Sequence, residues 1–166
     1  MNLIPNANFE DLDENGIPYG FTKIGNGTLN VSNIPIMRDI EGNKLVIIGD
    51  GNETGISYNK NVRELTDYTV GVFYKSTGNV DIKVKLEQYN GTLLLDTKYE
   101  TLDSNSYVRI YRKLIRTLKT VNNIKLIITI KTSSTIEICF PSLEVGDKVN
   151  TIDYPYNENS KLTIIQ

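Results

Sequence analysis

Val80-Asp81-Ile82-Lys83-Val84-Lys85-Leu86-Glu87-Gln88-Tyr89-Asn90-Gly91 is the stretch that decides the fold. Val80, Ile82, Val84 and Leu86 alternate with Asp81, Lys83, Lys85 and Glu87, the period of two that marks a strand with one dry and one wet face. Asn90-Gly91 ends it. Both residues tolerate the positive φ of a two-residue hairpin, so Thr92 to Lys98 is expected to return as the partner strand.

The same texture extends in both directions. Segments rich in Val, Ile, Thr and Tyr predict strands at Tyr19–Ile24, Thr28–Ser32, Lys44–Gly49, Gly55–Asn59, Tyr68–Lys75, Tyr107–Ile115, Ile124–Lys131 and Thr135–Leu143. Turn residues separate them, as at Gly25-Asn26-Gly27, Gly49-Asp50-Gly51-Asn52, Ser76-Thr77-Gly78-Asn79 and Asp103-Ser104-Asn105-Ser106. About ten short strands at this spacing, with no helical periodicity, argue for an all-β sandwich or barrel. With 166 residues and no composition break, one domain is expected over residues 1–149. The tail, residues 150–166, is expected to pack as an edge strand or to reach a neighbouring chain.

Composition narrows the chemistry. The chain has no histidine, which removes Ser-His and Cys-His nucleophiles and every imidazole metal site. Twenty acidic residues leave carboxylate chemistry open, yet nothing in the spacing points to two convergent acids. No enzyme is expected. The lone Cys139 has no disulfide partner within the chain and reads as a small buried apolar residue. Net charge is −2 and the lysines are scattered along the strands, which disfavours nucleic acid or another polyanion as partner. No apolar run is long enough to cross a bilayer, and the start lacks the pattern of a signal peptide, so neither membrane nor secretion by that route is expected. Four Asn-x-Ser/Thr triplets, at Asn26, Asn30, Asn52 and Asn90, are accordingly read as turn and strand chemistry.

The opening Asn2-Leu3-Ile4-Pro5-Asn6-Ala7-Asn8-Phe9-Glu10, followed by Gly16-Ile17-Pro18-Tyr19-Gly20-Phe21, resembles the start of jelly-roll carbohydrate-binding modules, the galactose-binding-like sandwiches. Phe21 stands where those usually carry tryptophan. The resemblance continues through Lys44-Leu45-Val46-Ile47, Leu65-Thr66-Asp67-Tyr68-Thr69-Val70 and Phe73-Tyr74-Lys75. The closing Phe140-Pro141-Ser142-Leu143-Glu144-Val145-Gly146, then Thr151-Ile152-Asp153-Tyr154-Pro155, is similar to a segment of bacteriophage tail and baseplate proteins. The resemblance implies a two-sheet antiparallel β-sandwich that binds a cell-surface glycan without catalysis. It further implies a virion component made in the host cytoplasm, working in host recognition beside other virion proteins. Residue usage rich in Asn, Lys and Ile fits a low-GC Gram-positive host. The alternative is a structural domain for virion assembly or decoration that binds no glycan.

Alternation places Asp81, Lys83, Lys85, Glu87 and Tyr89 on one wet face. In the preceding strand it buries Tyr68, Val70, Val72 and Tyr74 and turns Phe73 outward. Phe73, Lys85, Glu87 and Tyr89 together have the composition of a sugar platform, because a flat ring covers the C–H face of a pyranose while charged groups meet its hydroxyls. The competing reading is a cross-strand pair hidden beneath a loop. Tyr107, Arg109, Tyr111 and Lys113 form a second outward set. Asp11-Leu12-Asp13-Glu14-Asn15-Gly16 matches half of a calcium loop, but Thr22 falls where the bidentate glutamate belongs, so an EF-hand is excluded. Related modules hold a structural calcium between the Glu of the opening Phe-Glu pair and a later aspartate. Cys139 or Phe140 takes that aspartate's place here, and no cofactor is expected.

Overall fold

The computed structural model describes residues 1–149, and their regular structure is entirely strand. In chain order the strands are β1 (Thr22–Ile24), β2 (Thr28–Ser32), β3 (Lys44–Ile48), β4 (Thr54–Asn61), β5 (Asp67–Thr77), β6 (Ile82–Asn90), β7 (Leu93–Leu102), β8 (Arg109–Arg116), β9 (Asn123–Ile130) and β10 (Thr135–Val145). They form two five-stranded antiparallel sheets, β1-β4-β9-β6-β7 and β2-β3-β10-β5-β8. Every strand expected from the alternation is present, and the two sheets stack as a sandwich. The expectation for the tail concerns residues outside those described.

The inward positions make one core. Ile56, Tyr58, Ile82, Val84, Leu86, Ile124, Leu126, Ile128 and Ile130 of the first sheet meet Leu45, Ile47, Tyr68, Val70, Val72, Ile136, Ile138 and Leu143 of the second. At one margin Phe9, Phe21 and Tyr58 stack edge to face, with centroids 5.3 and 5.6 Å apart. Phe21 therefore works as a buried wedge. The β1 strand begins three residues later than expected because Tyr19 is tied down as a turn. Its carbonyl accepts from Asn6 Nδ2 at 3.0 Å and its N–H donates to the Asp11 carbonyl at 2.9 Å.

Phe73 does not lie on a wet face. It is 2% exposed, in a second apolar cluster with Ile36, Ile40, Ile110 and Cys139, on the side of β5 away from the main core. The segment between β2 and β3 supplies Ile36, Met37 and Ile40 as its cover. Nor can Phe73 join Lys85, Glu87 and Tyr89. The chain changes sheets between β5 and β6, so alternation along each strand was right while the assumption that the two strands are neighbours was not.

The β6–β7 hairpin also departs from its expected register. Asn90 pairs with Leu93, so Gly91 (φ +60°) and Thr92 form the turn, and an irregularity between Gln88 and Tyr89 shifts the ladder once more. Asn122 holds this end in place: its Oδ1 accepts the Gly91 N–H at 2.9 Å and its N–H donates to the Tyr89 carbonyl at 2.9 Å. The result sets Lys85 opposite Tyr99.

Phe73→Ala empties a site with no solvent access. It is expected to lower unfolding free energy by about 3–5 kcal/mol, as for other buried Phe truncations. A urea melt measures it, and a loss below about 1 kcal/mol would show that the ring is not a core element.

Candidate functional site

The register of the first sheet defines what faces away from the core. Lys83, Lys85, Glu87 and Tyr89 project outward from β6; Thr97, Tyr99 and Thr101 lie beside them on β7; Asn123, Lys125, Ile127 and Thr129 flank them on β9. Beyond β9, Ser57, Asn59 and Asn61 continue the face on β4. Its middle is low. Ser57, Ile127, Thr129 and Glu87 are each less than 9% exposed, although none points into the core. Asn59, Asn61, Lys83 and Tyr99 stand exposed on either side. Among the described residues no hydrophobic cluster or hydrogen-bonded loop covers this strip.

Three of the four residues expected to bind ligand meet here. Tyr89 Oη donates to Glu87 Oε1 at 2.9 Å, and Lys85 Nζ is 3.8 Å from Glu87 Oε2. Both oxygens of the carboxylate are thus engaged. Burial, then the Glu87 hydrogen bond and charge, push the Tyr89 hydroxyl above the usual tyrosine range. Asn123, opposite Tyr89, keeps a side-chain oxygen with no hydrogen-bond partner among the described residues.

The exposed ring on this face is Tyr99, which the sequence reading missed. It is 58% exposed, with Lys83 Nζ 4.6 Å and Lys85 Nζ 5.9 Å from its centroid. A plain Asn90-Gly91 turn would have placed Tyr99 opposite Ile82, on the dry side. The moved turn alone would set it opposite Val84, still on the dry side; the irregularity brings it outward.

Arg109, Tyr111 and Lys113 do share a side, but they face β7 across the open seam of the sandwich, because Tyr74, Val72 and Val70 oppose them in β5. Tyr107 lies outside β8 and is 79% exposed. The Tyr111 hydroxyl donates to Glu100 Oε2, and Lys113 Nζ is 3.4 Å from Glu100 Oε1. A cavity of about 290 Å³ opens beside them, floored by Val84, Leu86 and Ile115. Burial first, and the Glu100 hydrogen bond second, hold the Tyr111 hydroxyl far above the ordinary tyrosine range.

The Asp11–Gly16 turn is closed by its own backbone. Asp13 Oδ1 accepts the N–H groups of Asn15 and Ile17 at 2.8 and 2.9 Å, an Asx turn. Among the described residues no group of three or more His, Cys, Asp or Glu side chains could hold a metal. Cys139 is 1% exposed, and burial pushes its thiol up out of the reactive range.

Two stacked antiparallel sheets, with the chain passing repeatedly from one to the other, define a jelly-roll β-sandwich. No family model matches the chain, and no curated protein sequence matches it. Solved structures do. The enzymatically active domain of tailspike protein 4 of bacteriophage CBA120 is similar at TM-score 0.73 and 10% identity, over 87% of this chain and 21% of that one. TmCBM61, solved with β-1,4-galactotriose, is similar at 0.59 and 15%, over 88% and 99%. The CBM22-1 xylan-binding domain from Paenibacillus barcinonensis is similar at 0.62 and 13%, over 82% and 90%. The chain thus spans about a fifth of the tailspike domain and nearly the whole of the single modules. At such identities the likeness shows the fold, which is the jelly roll common to carbohydrate-binding modules.

The seam yields a pH prediction. A folded pKa raised above the unfolded value, near 10 for tyrosine, contributes stability that is present below pH ~10 and lost as pH rises toward the folded pKa. Stability should therefore fall between about pH 9 and pH 11. The fall should be shallower in Tyr111→Phe, and identical slopes in urea melts of the two proteins would refute the assignment.

Proposed function

We propose that the chain is a non-catalytic carbohydrate-binding module that recognises a host cell-surface glycan, and that it serves as a component of a bacteriophage virion. The observation that carries this is the outer face of the first sheet, where an exposed tyrosine ring stands beside donors and acceptors. The Tyr99 ring can cover the C–H face of a pyranose, while Lys85, Lys125, Asn59 and Asn61 meet hydroxyls. The strands place one carboxylate on this face, Glu87, whereas glycoside hydrolysis by the usual route needs two flanking the bond. The jelly roll shared with a xylan-binding domain and with a tailspike domain supports the reading, as does the similarity of the Pro141–Gly146 segment to phage tail proteins. Modest affinity per site suffices, because a particle presenting many copies binds by avidity.

A specific observation favours a structural role as the second reading. Leu93, Leu94 and Leu95, at the start of edge strand β7, are 61%, 45% and 37% exposed, and an unpaired edge bearing leucines suits contact with another subunit.

Sedimentation with cell walls of low-GC Gram-positive bacteria tests the first reading. Tyr99→Ala should weaken binding about fivefold, the ~1 kcal/mol of an aromatic contact, and Tyr89→Ala should also weaken it. Wall binding unchanged in both variants rejects this face. Release of reducing sugar by the parent protein rejects the non-catalytic assignment.

A further inference from the structure

We infer that the glycan accepted by the outer face of the first sheet is anionic, bearing carboxylate or phosphate groups; this rests on the glycan-binding reading and narrows it. The outward positions of β1, β4, β6, β7 and β9 carry three cations, Lys83, Lys85 and Lys125, and one anion, Glu87. The face is thus +2 on a chain whose net charge is −2. Asp81, just before β6, and Lys131, just after β9, are opposite in sign and leave that balance unchanged.

The second sheet handles its outward cations differently. Glu137 pairs with both Lys44 and Lys75, Arg116 is 3.1 Å from Asp67 Oδ1, and Arg112 donates to the Lys148 carbonyl at 2.6 Å. Each cation at an outward strand position there has an internal acceptor. On the first sheet Lys85 has only Glu87, at 3.8 Å, and that carboxylate already accepts from Tyr89. Among the described residues, no carboxylate lies within ion-pair distance of Lys83 or Lys125.

An ammonium group only donates hydrogen bonds. The amide and hydroxyl groups of this face, on Asn59, Asn61, Asn123, Thr97 and Thr101, can meet neutral hydroxyls, but none of them balances the surplus ammonium charge. Lys83 and Lys85 sit two residues apart on one strand, about 7 Å, with the Tyr99 ring next to them, and Lys125 stands opposite Glu87 on β9. That arrangement leaves like charges close together until an anion arrives. Oxygens of a carboxylate or a phosphodiester, spaced along a sugar chain that lies against Tyr99, complete it.

The test is affinity electrophoresis of the full chain in gels containing polygalacturonate, poly(glycerol phosphate) teichoic acid, xylan or polyaspartate. Retardation by polygalacturonate, by teichoic acid or by both is expected at least about tenfold above that by xylan, and it should fall as salt rises from about 50 to about 500 mM. The first two polymers distinguish carboxylate from phosphate. The Lys83→Gln/Lys125→Gln double variant, with an unchanged urea midpoint, should lose about tenfold in affinity for the anionic polymer, the effect of weakening two charge-assisted contacts. Equal retardation by xylan, or undiminished binding by the double variant, overturns the anionic preference and leaves glycan binding standing. Equal retardation by polyaspartate overturns it too, since the face would then answer to charge without sugar. No retardation by any polymer overturns the anionic preference, while sedimentation with cell walls decides the glycan-binding reading separately.

Discussion

The structure depends on two consecutive strands occupying the centres of opposite sheets. β9 is the middle strand of the first sheet and β10 the middle strand of the second, joined by a short connection at residues 131–134. Ile124, Leu126, Ile128 and Ile130 on one, and Ile136, Ile138 and Leu143 on the other, are each 1% exposed or less and hold the two layers together. Every other strand is added outward from this pair, so the core is complete only when the C-terminal third of the domain has joined. Most contacts are accordingly distant in sequence, and slow folding for a chain of this size follows from the closure entropy of those loops.

A second constraint ties the chain's opening segment to the same central strand. Between Cys139 and Ser142 the ladder from β10 to β5 shifts, with Phe140 at φ +47° and Pro141 beside it, where proline is tolerated because no ladder donor is needed. Asn2 grips that irregularity. Its Nδ2 donates to the Pro141 carbonyl at 3.1 Å and its Oδ1 accepts the Leu143 N–H at 3.0 Å. The opening and closing segments therefore touch each other, and both serve the sandwich. Their physical content is fold, which is why residues such as Phe9, Phe21 and Leu143 are buried and contribute nothing to a ligand surface.

The same distinction explains what was legible in the sequence. Strand positions and inward faces follow from local alternation, and for Tyr68, Val70, Val72, Ile82, Val84 and Leu86 the structure agrees residue by residue. Sheet membership is not local. Alternation turns Phe73 outward, and it does point away from the main core, but nothing in its own strand shows that β6 belongs to the other sheet or that Ile36 and Ile40 lie over it. Tyr99 is hidden from the sequence for a related reason, since its face is set by one ladder irregularity between Gln88 and Tyr89, and a change of one residue in register reverses every side chain.

Charge follows the same rule as packing. Scattered along the chain, the lysines leave no electrostatic footprint, and the global balance argues against polyanions. Period two and an antiparallel register nevertheless sort these charges by side, because Lys83 and Lys85 share a face by alternation and Lys125 joins them from β9, while Val84 between the first two is apolar and buried. A sheet thus separates charge by side as a helix does by stripe. Net charge bounds the mean field of the molecule, whereas a ligand lying on one face meets only that face. For a sandwich whose two outer faces differ in how their cations are paired, the local balance is the quantity that governs recognition.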